Sequence, residues 1–345
     1  VNGRASENAL FGFSPARLFS RSPARFSKVF GLDVAPTIGV DLGGTNTRAG
    51  LVSAEGEILG RGRRPTPLPE GAAAVVMGIA DCVRDAAQDG GIKLKDTAGL
   101  GVGSPGPLDP YAGVIISPEN LQCMHGVRLK DELESDLGVS VSVDNDANMA
   151  AYGEQWLGAG RGVDHFLCVT LGTGVGGGWV SDGRLMRGFN GNAAEVGHIT
   201  VDHNGPQCLC GNHGCLEKYA SATAMVDWAV KRIREEAPET VLTGEGLTTK
   251  ALFDAAEQGD TFAQEMWEST GTLLGVGLVS LVNVTNVEMV ALAGGMAAAG
   301  DWIFEPAKRT FLERGTVGVK EHVRIVPASL GDDAGIFGAA RLAQA

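Results

Sequence analysis

The sequence predicts an α/β protein built as two similar domains that face each other across a central cleft. Two glycine- and threonine-rich loops, far apart in the chain, sit at the heads of hairpins laid out in the same way. Two further apolar strands run straight into polar or glycine-rich junctions, at Asp144-Asn145-Asp146 and Gly294-Gly295. At 345 residues and 44% hydrophobic, the chain is long enough for each half to bury its own core.

In chain order, the first 36 residues stand apart. They carry Arg4, Arg17, Arg21, Arg25 and Lys28 against Glu7 and Asp33 alone, with several serines and phenylalanines. Two readings fit, an organellar transit-like leader or a disordered extension, and in both the fold starts near residue 37.

The first ordered element is the apolar strand Thr37–Val40. It ends at Asp41 and continues through Leu42-Gly43-Gly44-Thr45-Asn46 into a second strand reaching Val52, with a turn at Ala54-Glu55-Gly56. The second copy starts at Phe166 and runs through Thr170-Leu171-Gly172-Thr173-Gly174 to Val180, turning at Ser181-Asp182-Gly183. Overlaid, Leu42-Gly43 matches Leu171-Gly172 and Gly56 matches Gly183. Glycines let backbone N–H groups point into the space between the halves, and threonine hydroxyls add donors. Two such loops can hold one polyphosphate from both sides.

Between the loops, Val141-Ser142-Val143 reads as a strand and Ala147 onward as a helix. Asp144, Asn145 and Asp146 therefore fall at a strand-to-helix mouth, where polar side chains project into a cleft. Asp146 is the candidate general base for an acceptor hydroxyl, Asn145 a hydrogen-bonding partner for the acceptor, and Asp144 a structural residue. Aspartate is also a favoured helix cap, so spacing alone leaves both roles open for Asp146.

The next stretch joins Glu195-Val196-Gly197-His198 to a cysteine cluster. His198, Cys208, Cys210 and Cys215, with nine, one and four residues between them, are the donors of a closed four-ligand zinc site. Three separately buried thiols would be the alternative. With no open position the zinc is expected to be structural, and His203 and His213 are read as bystanders. Glu195, His198 and Glu217 bracket the cluster with groups suited to sugar hydroxyls, and His198 has a second ring nitrogen for that task. Further on, the first half of Leu273–Met296 reads as a buried helix and Val287–Ala293 as a buried strand leading into Gly294-Gly295.

The paired loops resemble the actin–hexokinase–heat-shock-protein ATPase fold (ribonuclease H-like), in which two α/β domains close over ATP. Gly294-Gly295 resembles its adenosine-binding turn, and Asp333–Ala340 its last helix. Within that fold, Asn145-Asp146, Glu195-Val196-Gly197-His198 and the Cys208–Glu217 run resemble the ROK family of repressors and sugar kinases, from Ile38 to the C-terminus. Gly101–Asp109, which contains Gly106, resembles a family loop whose backbone lines the sugar pocket, and Asn120-Leu121 a stretch that places an Asn on a sugar hydroxyl.

The resemblance implies a glucokinase-like enzyme using ATP and Mg2+, with Asp146 as catalytic base. It implies sugar contacts from Gly106, Asn120, Asn145, Glu195, His198 and Glu217. Nucleotide contacts would come from Asp41, Gly43, Gly44, Thr45, Asn46, Gly172, Thr173, Gly174, Gly294 and Gly295. The expected domains are 37–150 and 151–345. Gln122-Cys123-Met124 departs from the Pro-Gly-Trp common in such glucokinases. That leaves open whether the acceptor is glucose, another hexose such as mannose or fructose, or an N-acetylhexosamine.

Composition excludes several classes. A net charge of −13 repels a phosphate backbone, so nucleic acid is not an expected partner. Asn283, Asn286 and Glu288 interrupt the most apolar stretch, so no membrane span is expected. The 36 residues before the first strand fall short of the winged helix of a repressor. Crowded cysteines suit metal over disulfides and a reducing compartment. The expected location is therefore the cytoplasm, or an organelle if the leader is a transit segment. The family resemblance implies a homo-oligomer.

Overall fold

The computed structural model describes residues 34–344, so the leader reading lies outside the described residues. Strand β1 (Thr37–Leu42) pairs antiparallel with β2 (Asn46–Val52), which pairs antiparallel with β3 (Ile58–Pro65). Helix α1 (Ala72–Asp89) follows. Strand β4 (Leu100–Ser104) then joins β1 in parallel, and a small ribbon, β5 (Leu108–Asp109) and β6 (Val114–Ile115), leads to α2 (Leu129–Leu137). Strand β7 (Val141–Asn145) closes the first sheet, in the order β3-β2-β1-β4-β7, and α3 (Asp146–Trp156) starts directly from it.

The second sheet repeats that plan. Strands β8 (Phe166–Leu171), β9 (Val175–Ser181) and β10 (Arg184–Leu185) form the antiparallel part. After α4 (Ala222–Glu236), α5 (Thr249–Glu257) and α6 (Thr261–Thr285), strand β11 (Met289–Ala293) joins β8 in parallel. Helix α7 (Asp301–Arg314) and strand β12 (Arg324–Pro327) follow, giving the order β10-β9-β8-β11-β12. Position for position the two sheets match, as the paired loops predicted. The buried strand is shorter than read from sequence, starting at Met289. The buried helix is longer, spanning Thr261–Thr285, because Phe262, Met266, Trp267 and Leu274 continue its core-facing stripe.

Alternation along β1 explains how the layers stack. Ile38, Val40 and Leu42 enter one core with Val75, Ile79 and Val83 of α1. Gly39 faces the other way, where helix α8 (Ala334–Ala343) lies so close that a Cβ on Gly39 would sit 1.9 Å from the Ile336 carbonyl oxygen. Gly101 of β4 would meet the Ala339 carbonyl at 1.8 Å. The C-terminal helix therefore returns to cover the first sheet, so the halves are not strictly consecutive in sequence. Helix α3 fills the remaining layer. Its Ala151 and Tyr152 pack on Phe166 and Cys168 of the second sheet, while Gly153 lies against Ala334. Buried Glu154 accepts the N–H groups of Ser329 and Leu330 at 2.9 and 2.7 Å, fixing the approach to α8. No described helix is long and apolar enough to cross a membrane.

Candidate active site

Helix α3 brings the predicted base to the junction of the two sheets. Asn145, with extended backbone (φ −66°, ψ 143°), is the residue that caps α3. Its Oδ1 accepts the N–H groups of Ala147 and Asn148 at 2.9 and 3.3 Å. Asp146 is the first helical residue, and its Oδ1 also accepts the Ala147 N–H, at 2.8 Å. The cap position thus belongs to the neighbouring residue. Burial, followed by the nearby charge of Asp41, pushes the Asp146 carboxyl above the usual carboxylate range; the Ala147 N–H acts in the opposite sense. A carboxylate so placed is a stronger base than one in water.

Asp146 lines a cavity of about 80 Å3 together with Gly106, Asn145 and Glu195, all predicted sugar-site residues. Gly191, Asn192 and Ala194 complete one wall, and sequence reasoning did not single them out. Their only signal was proximity to Glu195. Three predicted residues stand outside this lining. Nε2 of His198 lies 4.0 Å from the Glu195 carboxylate, so His198 joins the wall through that neighbour. Glu217 accepts the Val175 N–H at 3.0 Å, which sets it at the foot of the second glycine loop. Asn120 is exposed, and its carbonyl oxygen lies 3.7 Å from where a Cβ on Gly44 would be, beside the first loop. A hollow of about 980 Å3 on the α5–α6–α7 face contains none of the predicted residues.

Both glycine loops are tight. In the first, the Gly43 N–H donates to the Asn46 carbonyl at 3.1 Å, and the Thr66 hydroxyl donates to the Gly43 carbonyl at 2.7 Å. Gly44 and Thr45 are left exposed at the tip. Asp41 lies just before the turn, paired with Arg48 at 2.6 Å. In the second loop the Gly172 N–H donates to the Gly174 carbonyl at 3.0 Å, with Thr173 exposed. Gly294 abuts this loop. Its φ of +88° and the position of the Leu171 carbonyl, 2.4 Å from a Cβ at 294, require glycine there. The adenosine-turn candidate and the second phosphate loop are therefore one surface.

The four predicted metal donors converge, with all ligand atoms within 4.8 Å of one another. Nδ1 of His198 is 3.7 Å from Sγ of Cys208, and Sγ of Cys210 is 3.6 Å from Sγ of Cys215. Ligand bonds of about 2.0–2.3 Å in a tetrahedron give edges of roughly 3.5–3.8 Å, so the donor set fits zinc. A disulfide would need sulfurs about 2.05 Å apart. With Nδ1 facing the sulfurs, Nε2 of the same ring faces Glu195.

The ROK family profile matches residues 37–345. A glucokinase from Thermotoga maritima is 38% identical over 309 residues, which are 88% of this chain and 96% of that one. A ROK family glucokinase from Streptomyces griseus, solved in complex with glucose and AMPPNP, is 35% identical with a TM-score of 0.74; the match covers 90% of this chain and 99% of that chain. A putative xylose repressor from Caldicellulosiruptor sp. is 31% identical over 89% of this chain and 77% of its own length. Two matched sheets, the loops they carry and this breadth of similarity lead to one conclusion: the chain belongs to the ROK family.

Proposed function

We propose that the chain is an ATP-dependent hexose kinase that converts D-glucose to glucose 6-phosphate, with Asp146 as general base. One observation carries this reading. A carboxylate of raised basicity, relieved of capping duty by Asn145, faces a small polar cavity lined also by Glu195 and by Gly176 and Gly177 of β9, the strand that follows the second glycine loop.

In the reaction the acceptor hydroxyl donates its proton to Asp146 as its oxygen bonds to the terminal phosphorus of ATP. The bond from that phosphorus to the bridging oxygen breaks, and ADP leaves. Asn145, Glu195, His198, Glu217 and Asn120 would hold the remaining hydroxyls, with the backbone at Gly106 as a wall. Asp41, Gly43, Gly44, Thr45, Asn46, Gly172, Thr173 and Gly174 would cradle the phosphates, and Gly294-Gly295 the adenosine. Mg2+, when bound with ATP, would neutralise phosphate charge; such ions need only one or two protein carboxylates, and Asp41 beside the first loop would offer one while Asp146 stays free as the base. Zinc held by His198, Cys208, Cys210 and Cys215 would organise its loop and orient the His198 ring toward the sugar.

The test is ADP release by the purified protein across a panel of glucose, mannose, fructose and N-acetylhexosamines, with polyphosphate beside ATP as donor. Glucose should give the highest kcat/KM. Faster phosphorylation of an N-acetylhexosamine at equal sub-saturating concentration would overturn glucose as acceptor, and no sugar-dependent ADP release would overturn the kinase reading. A DNA-binding regulator is disfavoured by the net charge of −13, which repels a phosphate backbone.

A further inference from the structure

Asp144 has no solvent exposure, yet its carboxylate is fully engaged. Oδ1 accepts the Asn145 backbone N–H at 2.7 Å and the Asn148 side-chain amide at 2.9 Å, while Oδ2 accepts Nε of Arg187 at 2.5 Å. Asp144 is the penultimate residue of β7, directly before Asn145 and the helix start at Asp146. Arg187 comes from the other half, just after β10. Its carbonyl accepts the Ala193 N–H at 3.1 Å, closing the loop that leads to Glu195 and forms one wall of the cavity. One arginine thus holds that loop twice, by its backbone and by its charge. A second hydrogen bond from the first half to this loop, Tyr111 hydroxyl to Gly188 carbonyl at 3.3 Å, is solvent-exposed, and Gly191 packs against Pro110.

We propose that the Asp144–Arg187 ion pair is a clasp that sets the distance between the catalytic strand and the Glu195 loop, making both positioning residues for the sugar but not for the nucleotide. Arg187 does not line the cavity, so its influence passes through the loop it holds. The glycine loops hang from β1–β2 and β8–β9 and share no hydrogen bond with the clasp. Loosening it should displace the acceptor hydroxyl from Asp146 and leave the ATP contacts in place.

This inference rests on the kinase reading, and the experiment separates the two. The full chain and its Arg187→Ala, Arg187→Lys and Asp144→Asn/Arg187→Gln variants are compared for KM of glucose, KM of ATP, kcat and thermal melting. The double variant carries no unpaired buried charge. Misplacement of reacting groups by about 1 Å costs up to roughly a hundredfold, so Arg187→Ala should raise glucose KM or lower kcat by a combined ten- to hundredfold. ATP KM should stay within about twofold, and Arg187→Lys should recover part of the loss. The clasp is overturned if folded Arg187→Ala or the folded double variant keeps the wild-type glucose parameters, if glucose and ATP parameters fall together, or if no variant folds. If the wild type itself phosphorylates no hexose, the kinase reading fails first.

Discussion

At the scale of single residues, Asp146 carries opposing effects on activity and stability. Its raised pKa means that the folded state holds the proton more tightly than the unfolded chain. Stability therefore falls as pH rises from the unfolded carboxylate value to the folded one, and above the folded value the ionised group destabilises the fold. Asp146→Asn should lower kcat by ~10²–10⁴ with glucose binding retained. The same change should raise the melting temperature above the folded value, with the gain vanishing below the ordinary carboxylate range. Paired melting curves and turnover measurements check both. In the wild type, kcat/KM should drop with acid at a pH above that of an unperturbed aspartate. Glu217→Gln should lower kcat/KM for glucose by roughly 5- to 150-fold, from one badly paired sugar-binding group. Spacing alone leaves both a capping and a catalytic role open for Asp146, because Asn and Asp are both good caps; the backbone angles at 145 and the hydrogen bonds its side chain accepts assign the cap to Asn145.

At the scale of elements, the zinc loop and the glycine face of the first sheet are the parts most open to test. Changing Cys208 or Cys215 to Ser should lower bound zinc and melting temperature together, because the loop is organised by the ion it holds. Elemental analysis and calorimetry on one preparation decide it; full thermal stability without zinc would refute the structural role. Gly101→Ala should lower stability by about 1–3 kcal/mol or more, since the intruding Cβ meets backbone that cannot rotate aside. The loops, the strand–helix junction and the metal cluster were legible in the sequence because each depends on residues close together. Helix α8 was legible as a helix, but its place on the first sheet was not. Gly335, Gly338, Ala339 and Ala340 suit any close contact, and nothing local names Gly39 and Gly101 as the partners. Arg187 was missed for the same reason: it lies in a loop, and its partner is 43 positions away in β7.

At the scale of the whole molecule, two sheets of one plan enclose α3 and α8, and the proposed ligands would bridge the halves. Binding that requires the folded state should stabilise it by about 2.7 kcal/mol when the free ligand is at a hundred times its Kd. A non-hydrolysable ATP analogue and glucose should each raise the melting temperature, and the pair should exceed either alone. Calorimetric scans at matched saturation test this, and no shift with glucose would count against the acceptor site. The placement of α8 also bears on how the chain is made. On the ribosome, β1 and β4 emerge early, but Gly39 and Gly101 on their glycine face stay uncovered until residues 334–343 have been added. The half synthesised first is thus the half completed last, and a chain released short of its final helix would lack the support beneath Asp146 even though every residue of the site had already been translated.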